Sequence, residues 1–245
     1  MTANIPSFNG FNADSFKFLG DLGKDKNNNT AWFAKNRKRY DENLVLPAKS
    51  FIISIGQFFN HLNPVIRTEP MFNKTIMRIN KDMRFAKGGG PYRNYFLIHF
   101  GRFKMDSEFF VYFDKNGIEY GLFLNNSKGD DLYFNQNIAS LHNNFIECCE
   151  RFKINNKFYM YELYKEEANA VTKFKAAKHY EAVSKMKYII LKKDIALTSK
   201  LSTSPDFLTE AIKAFSNLYP LYCFAISPNP MKLVEEFDER MGIAV

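Results

Sequence analysis

The residues best suited to chemistry lie in one short stretch, residues 78–96, with the sequence RINKDMRFAKGGGPYRNYF. Arginine guanidinium groups are planar, bidentate donors for phosphate and carboxylate groups. Three consecutive glycines allow positive φ angles, and backbone N–H groups in such a turn can surround an anion. The stretch therefore predicts an anion site, with the candidate ligand-binding residues Arg78, Asp82, Arg84, Lys87, Tyr92 and Arg93.

Asp82 is the one carboxylate of this stretch and the one candidate for catalysis. It can act as a general base, or it can orient Arg78 or Arg84 through an ion pair. A single carboxylate is thin support for a metal site, and the four histidines are scattered without ligand spacing. We therefore expect no metal and no cofactor. A structural ion-pair network beside a tolerant glycine turn explains the same residues, and this alternative stays open.

A second group of candidates lies earlier in the chain, within NNNTAWFAKNRKRY. Asn28, Trp32 and Arg37 are additional candidates for ligand contacts. Trp32 beside four cations is compatible with stacking on a nucleic-acid base. A helix with one apolar face and one solvated basic face accounts for the same pattern.

The first sixty residues have helical periodicity. Asp14 or Ser15 is a candidate N-cap for a first helix, and Asn29 or Thr30 for a second. Pro47 suits the first turn of a third helix. These helices must carry the second group of candidates.

The middle of the chain has the two-residue period of β-strands. Asn116-Gly117, between two aromatic runs, is a strong hairpin signal. Apolar side chains on both faces of YFLIHF indicate an interior strand. The predicted strands are residues 74–80, 92–103, 108–114 and 118–124.

The last hundred residues mix both periods. A helix is expected from about Asn137, a second after Ser204-Pro205 and a short third after SPNP, with strands in KFYMYELY and MKYIILKKDI. The whole pattern predicts one α+β domain over residues 1–245, with an antiparallel or mixed sheet and helices packed on it.

The composition narrows the classes of protein. The chain has 245 residues and a net charge of +8, and no apolar run is long enough for a membrane helix. The start lacks a signal-peptide pattern, and three cysteines are too few and odd in number for a disulfide framework. We therefore expect a cytoplasmic protein with no membrane association, whose cysteines pack against the core.

The charge is unevenly distributed. Residues 67–104 carry nine basic and two acidic side chains, whereas residues 105–150 carry two and eight. The first of these blocks contains the glycine-rich stretch, and a basic block attracts anionic ligands or nucleic acid.

Two segments resemble a bacterial family of conserved proteins, the domain-of-unknown-function family 2461. They are NNNTAWFAKNRKRYDENLVLPAKSF and IMRINKDMRFAKGGGPYRNYF, and the resemblance is best over residues 15–125 and weak after 155. The family pattern has Asn-Asn, Trp-Phe, Tyr and Pro, then Arg, Arg-Asp, Arg-Phe-Ser-Lys and Pro-Tyr-Lys. The matching positions are Asn28, Asn29, Trp32, Phe33, Tyr40, Pro47, Arg78, Asp82, Arg84, Phe85, Lys87, Pro91 and Tyr92.

The chain departs from the family pattern at three single positions of the basic stretch and in its glycine run, where Gly88 to Gly90 replace a more polar loop that usually supplies another lysine. Lys81 replaces an arginine and Arg93 replaces a lysine, so the charge is kept, whereas Ala86 lacks the usual serine hydroxyl. The resemblance implies a shared fold, and the family brings no established activity.

Three functions follow as hypotheses. The first is a site for a small anionic or phosphate-bearing ligand, with enzyme activity left open. The second is a nucleic-acid-binding module, and the third is a protein-interaction scaffold without a ligand. A concave pocket favours the first, and a continuous exposed basic stripe favours the second. The nucleic-acid hypothesis adds to the cluster the cations Lys35, Arg37, Lys38 and Arg39.

Overall fold

The computed structural model describes residues 5–84, 89–103, 106–165 and 170–241. The N-terminal part is helical, as predicted, and a π-helical turn at Asp41–Val45 joins the third and fourth helices. No helix in the described residues is long and apolar enough to cross a membrane. The helices before the sheet are α1 (Ala13–Leu22), α2 (Thr30–Lys35), α3 (Arg37–Tyr40) and α4 (Leu46–Leu62).

One predicted helix cap is confirmed by the structure, and the prediction for another helix is wrong. Asn29 caps α2, because its side chain accepts a hydrogen bond of 2.9 Å from the Trp32 backbone N–H. The cap of α1 is Asn12, which accepts from the Ser15 backbone N–H at 3.0 Å. The predicted caps Asp14 and Ser15 both lie inside α1.

Five strands form one antiparallel sheet, so the predicted α+β class is confirmed. The order across the sheet is β1-β2-β3-β5-β4. In the last pair Tyr159 lies opposite Lys192 and Glu162 opposite Ile189. The strands are β1 (Phe96–Phe100), β2 (Glu108–Asp114), β3 (Gly117–Asn125), β4 (Tyr159–Glu162) and β5 (Tyr188–Ala196).

The predicted hairpin at Asn116-Gly117 is present between β2 and β3. The Asp114 carboxylate accepts hydrogen bonds from the Asn116 backbone N–H and side-chain amide, at 2.7 and 2.9 Å. Gly117 has a φ of +148°, and a Cβ atom there would lie 2.1 Å from the Ile195 carbonyl oxygen. The turn therefore requires glycine at this position.

Two strand predictions near the basic stretch are wrong in detail. Residues 92–103 were expected as an interior strand, but β1 is shorter and lies at one edge of the sheet. Residues 74–80 form isolated bridges instead of a strand, one of them between Ile76 and Ile98. That segment covers the open edge of β1, because the Met77 N–H donates to the Leu97 carbonyl at 3.0 Å and the His99 N–H donates to the Thr75 carbonyl at 2.9 Å.

The later helices are α5 (Phe134–Ser140), α6 (His142–Arg151), α7 (Ala176–Lys185), α8 (Phe207–Ile226) and α9 (Pro230–Met241). The helix expected from Asn137 is divided into α5 and α6 at Leu141, whose backbone angles are not helical. The sequence did not predict α7. A 3₁₀ turn at Lys200–Thr203 precedes α8.

The chain divides into two compact units by its internal contacts. The first comprises the described parts of Met1–Phe100, Phe110–Glu119 and Asp194–Ala211, and its core contains a cluster of aromatic rings around Phe11 and Phe51. The second comprises the described parts of the remaining segments, with a core of aromatic rings around Phe109 and Tyr222. The extent of a single domain over residues 1–245 therefore stays a prediction.

The three cysteines pack in apolar surroundings of the second unit, as expected. Cys148, Cys149 and Cys223 are all buried and free. Burial raises the pKa of the Cys148 thiol to about 12 and raises the pKa of the other two thiols well above the usual value. Thiolate, the reactive form, is therefore scarce at neutral pH.

Candidate functional site

Backbone hydrogen bonds join the two ends of the connection between Ile79 and Arg93, which we name the loop. The Lys81 N–H donates to the Pro91 carbonyl at 2.8 Å, and the Arg93 N–H donates to the Ile79 carbonyl at 2.8 Å. These bonds pair the chain before and after residues 82–90. The loop is therefore fixed at its base in the first unit.

Asn28 fixes the same loop from outside. Its Nδ2 donates to the Tyr92 carbonyl at 3.0 Å, and its Oδ1 accepts from the Tyr92 N–H at 2.9 Å. A Cβ atom on Gly90 would lie 2.3 Å from the Asn28 Oδ1, so this close approach requires the glycine. The Asn28 amide, a candidate for ligand contact, thus binds the backbone of the loop.

Aromatic rings pack beneath the loop. The Phe33 and Tyr92 rings are stacked, with centroids 4.3 Å apart and an interplanar angle of 19°. The Phe33 ring also lies 5.3 Å from the buried Tyr40 ring. Burial raises the pKa of the Tyr40 phenol, which therefore stays neutral at physiological pH. Tyr92, predicted as a ligand residue, is itself buried by this packing.

A cavity of about 270 Å³ opens beside these rings, and we name it the arginine pocket. Arg37 and Arg78 both line it and both are exposed. The pocket has arginines on an aromatic wall, which is a suitable arrangement for an anion attached to an apolar group. Its lining residues are Phe33, Arg37, Tyr40, Phe72, Arg78, Ile79 and Asn80.

The two arginines differ in their partners. The Arg37 Nε lies 2.8 Å from the Asp41 Oδ2, and this hydrogen bond raises the pKa of Arg37. The Arg37 guanidinium also lies 5.8 Å from the centre of the Tyr40 ring. Among the residues that the structure describes, the Arg78 side chain has no ion-pair partner. Arg37 is therefore oriented, and the charge of Arg78 is available to a ligand.

Asp82 and Arg84 form a separate pair within the loop. The Arg84 Nη2 lies 2.7 Å from the Asp82 Oδ2, and Arg84 is 81% exposed. The hydrogen bonds from Arg84 lower the pKa of Asp82, so its carboxylate is a weak base at neutral pH. Neither Asp82 nor Arg84 is among the described residues that line the arginine pocket. The predicted ligand residue Lys87 lies outside the described residues.

Two other candidates make contacts within the protein. Arg93 donates from its Nη1 to the Arg78 carbonyl at 3.0 Å and also to the Asn80 carbonyl. Trp32 is half-buried, and its ring lies 5.7 Å from the Phe18 ring. Arg93 therefore supports the backbone that presents Arg78, and Trp32 packs on the helix before it.

Comparison with known proteins gives a family. The family model described as "Conserved hypothetical protein (DUF2461)" matches residues 14–224. The chain belongs to the DUF2461 family. The match extends well beyond residues 15–125, where the sequence resemblance is best. No curated protein and no solved structure matches the chain significantly.

Most of the cationic side chains at residues 35–39 of this DUF2461 chain are paired with carboxylates. Arg39 donates to Asp14 at 2.6 and 2.7 Å and to Asp21 at 3.0 Å. Lys38 lies 3.7 Å from Glu42. Together with the Arg37–Asp41 pair, three of the four helix cations that the nucleic-acid hypothesis adds to the basic cluster have acidic partners.

The sequence nominated some residues of the DUF2461 arginine pocket and missed others. Phe72, Ile79 and Asn80 were not proposed as site residues, because no chemical motif marks them. The four-residue spacing of Phe33 and Arg37 was a usable signal, since one continuous helix would place both on one face, although the structure divides this segment between α2 and α3 at Asn36.

Proposed function

We propose that this DUF2461 protein binds a small ligand that carries a phosphate or carboxylate group on an apolar or aromatic body. The ligand occupies the arginine pocket. The observation that carries this proposal is the pair of exposed arginines, Arg37 and Arg78, beside the stacked rings of Phe33 and Tyr92.

The chemistry of the lining supports that ligand class. Guanidinium groups match the geometry of phosphate and carboxylate oxygens. The Phe33 and Tyr40 rings offer an apolar wall to the rest of the ligand. At about 270 Å³ the pocket suits a small molecule better than a polymer chain.

The fixed loop base supports a preorganised site. Arg78 lies in the segment that covers the β1 edge, and the carbonyls of Arg78 and Asn80 accept hydrogen bonds from Arg93. A ligand that meets a site already held in place loses less conformational entropy on binding. The Asn28 hydrogen bonds to Tyr92 also hold the loop in place before a ligand binds.

The nucleic-acid alternative has less support from the same contacts. Arg37, Lys38 and Arg39 each have a carboxylate partner, and Arg39 is only 22% exposed. A continuous phosphate-tracking stripe needs cations that are free to meet successive phosphates. The small-ligand function therefore stands first, and no reaction is assigned to the site.

The proposal is tested by isothermal titration with inorganic phosphate and with phenyl phosphate. We expect phenyl phosphate to bind more tightly, because its ring meets the aromatic wall. Arg78→Ala should lower the affinity about 10- to 100-fold, since a hydrogen bond to a charged group contributes about 1.5–3 kcal/mol. Thermal unfolding should be nearly unchanged in this variant, because Arg78 is exposed.

Arg84→Ala is the matched control, because it removes an exposed arginine of the same loop that does not line the pocket. We expect it to change the affinity less than about three-fold. An equal loss of affinity in both variants would indicate that the ligand binds the loop and not the arginine pocket. Absence of binding of either phosphate compound to the parent protein would reject the proposed function.

The cytoplasmic location remains a proposal as well. Its support is the odd, sparse set of free and buried cysteines. Cell fractionation with detection of the native protein tests it, and recovery from an oxidising compartment would contradict it.

A further inference from the structure

A larger cavity of about 840 Å³ lies elsewhere in the first unit. Helix α1, the β2–β3 turn and the segment after β5 all contribute to its lining, and four lysines lie on it. We name it the lysine groove. Its lysines are Lys17, Lys24, Lys115 and Lys200, and all four are exposed. The lining residues of the lysine groove and of the arginine pocket do not overlap.

The positive charge of the groove is only partly compensated. Its carboxylate in the described lining is Asp21, which pairs with Lys24 at 2.8 Å and with Arg39 at 3.0 Å. The hydrogen bond from Lys24 is the largest cause of the lowered pKa of Asp21. Within the described parts of the chain, the other three lysines have no carboxylate in ion-pair distance. A concave surface with an excess of one charge concentrates ligands of the opposite charge.

Small residues keep the groove open on the side of α1. A Cβ atom on Gly20 would lie 3.4 Å from the Lys115 Cβ, and one on Gly23 would lie 3.2 Å from the Asn94 Nδ2. Gly20 stands inside α1, where glycine is less favourable for the helix than alanine. Larger side chains at these positions would project into the space that the lysines surround.

We propose that the lysine groove binds a small molecule with several phosphate groups and an organic body, of the class of the nucleoside polyphosphates. The lysine ammonium is a compact point charge with rotatable donors, which suits phosphate groups in several orientations. The exposed Leu197 side chain gives the groove an apolar part for the organic body. The volume lies within the range of small-molecule sites.

This inference is independent of the proposed function at the arginine pocket. Titration of the full chain with ATP, in buffer without divalent cations, should show saturable binding at the lysine groove. Inorganic tripolyphosphate should bind more weakly, and adenosine should show no saturation, because the lysines recognise the charge. Arg78→Ala should leave ATP binding unchanged.

The decisive variant is Lys17→Ala/Lys115→Ala/Lys200→Ala. We expect it to lower ATP affinity about 30- to 100-fold, because three exposed cationic contacts are removed. The matched control is the triple alanine variant at three exposed lysines outside the groove, which changes net charge equally and should alter the affinity less than about three-fold. These control positions are Lys26, Lys74 and Lys128.

A single charge reversal, Lys115→Glu, provides a second readout in case the triple variant is less stable. It should also weaken ATP binding, with an unchanged melting temperature. Failure of the parent to bind ATP would overturn the inference. So would an equal loss in the control triple variant, or adenosine binding as tight as that of ATP.

Discussion

Asn28 shows how one side chain can hold a candidate functional loop. Its amide makes both a donor and an acceptor bond to the backbone of Tyr92, 64 positions away in the chain. A backbone with polar groups in a part-buried place must satisfy them, and this side chain does so for an irregular loop. The residue is therefore structural in its contacts, although it lies in the segment that the sequence nominated for ligand binding.

The role of Asn28 gives a prediction on stability. Asn28→Ala removes both bonds and leaves the Tyr92 N–H and carbonyl without these partners, so we expect a loss of about 1–3 kcal/mol in the free energy of unfolding. Chemical denaturation measures it. The control is Asn9→Ala at an exposed asparagine, for which we expect a change below about 0.5 kcal/mol. Equal stability of the two variants would contradict this role of Asn28.

At the scale of elements, the sequence predicted what depends on local pattern. The β2 strand has the predicted bounds, and the hairpin turns at Asn116-Gly117 because that dipeptide supports the tight turn. Asn29 was recognisable as a cap because its side chain bonds only three residues ahead. Each of these features is decided by neighbours in the chain.

The sequence could not predict features that join distant segments. The position of β1 at the sheet edge depends on its cover by Ile76, which no local period shows. Arg37 and Arg78 could each be nominated, but their place around one pocket depends on the fold between them. The pairing of Arg39 with Asp14 and Asp21 likewise links residues 25 and 18 positions apart.

The β2–β3 hairpin gives a prediction at the same scale. Gly117→Ala should destabilise the protein by at least about 1–3 kcal/mol, because alanine rarely adopts the φ of +148° and its Cβ would meet the Ile195 carbonyl. Gly20→Ala in α1 is the control, since its Cβ makes only a close contact with the Lys115 side chain. We expect the control to be neutral or stabilised by up to about 1 kcal/mol. Thermal and denaturant unfolding measure the stability of both variants. An unchanged stability of Gly117→Ala would contradict the requirement for glycine in this turn.

Across the whole molecule, ion pairs differ in how far water reaches them. In the first unit Arg39 bridges Asp14 and Asp21, whose side chains are 39% and 23% exposed. In the second unit Asp106 is fully buried, and Arg102 pairs with it at 2.8 Å. Arg102 also donates to the carbonyls of two distant residues, Asp131 at 2.8 Å and Ile226 at 3.1 Å. The charge count alone does not distinguish these two kinds of pair.

This difference predicts unequal costs for the same substitution. Asp106→Asn leaves the Arg102 charge largely buried without its carboxylate, so we expect a loss of about 3–5 kcal/mol in the free energy of unfolding. Asp14→Asn removes one partner of a network whose carboxylates are partly exposed to water, in which Asp21 still pairs with Arg39, and should cost at most about 1 kcal/mol. Urea denaturation at neutral pH, at low and at high salt, measures both, and added salt should reduce only the smaller effect. A loss for Asp106→Asn no larger than for Asp14→Asn would show that burial does not decide the strength of the second pair.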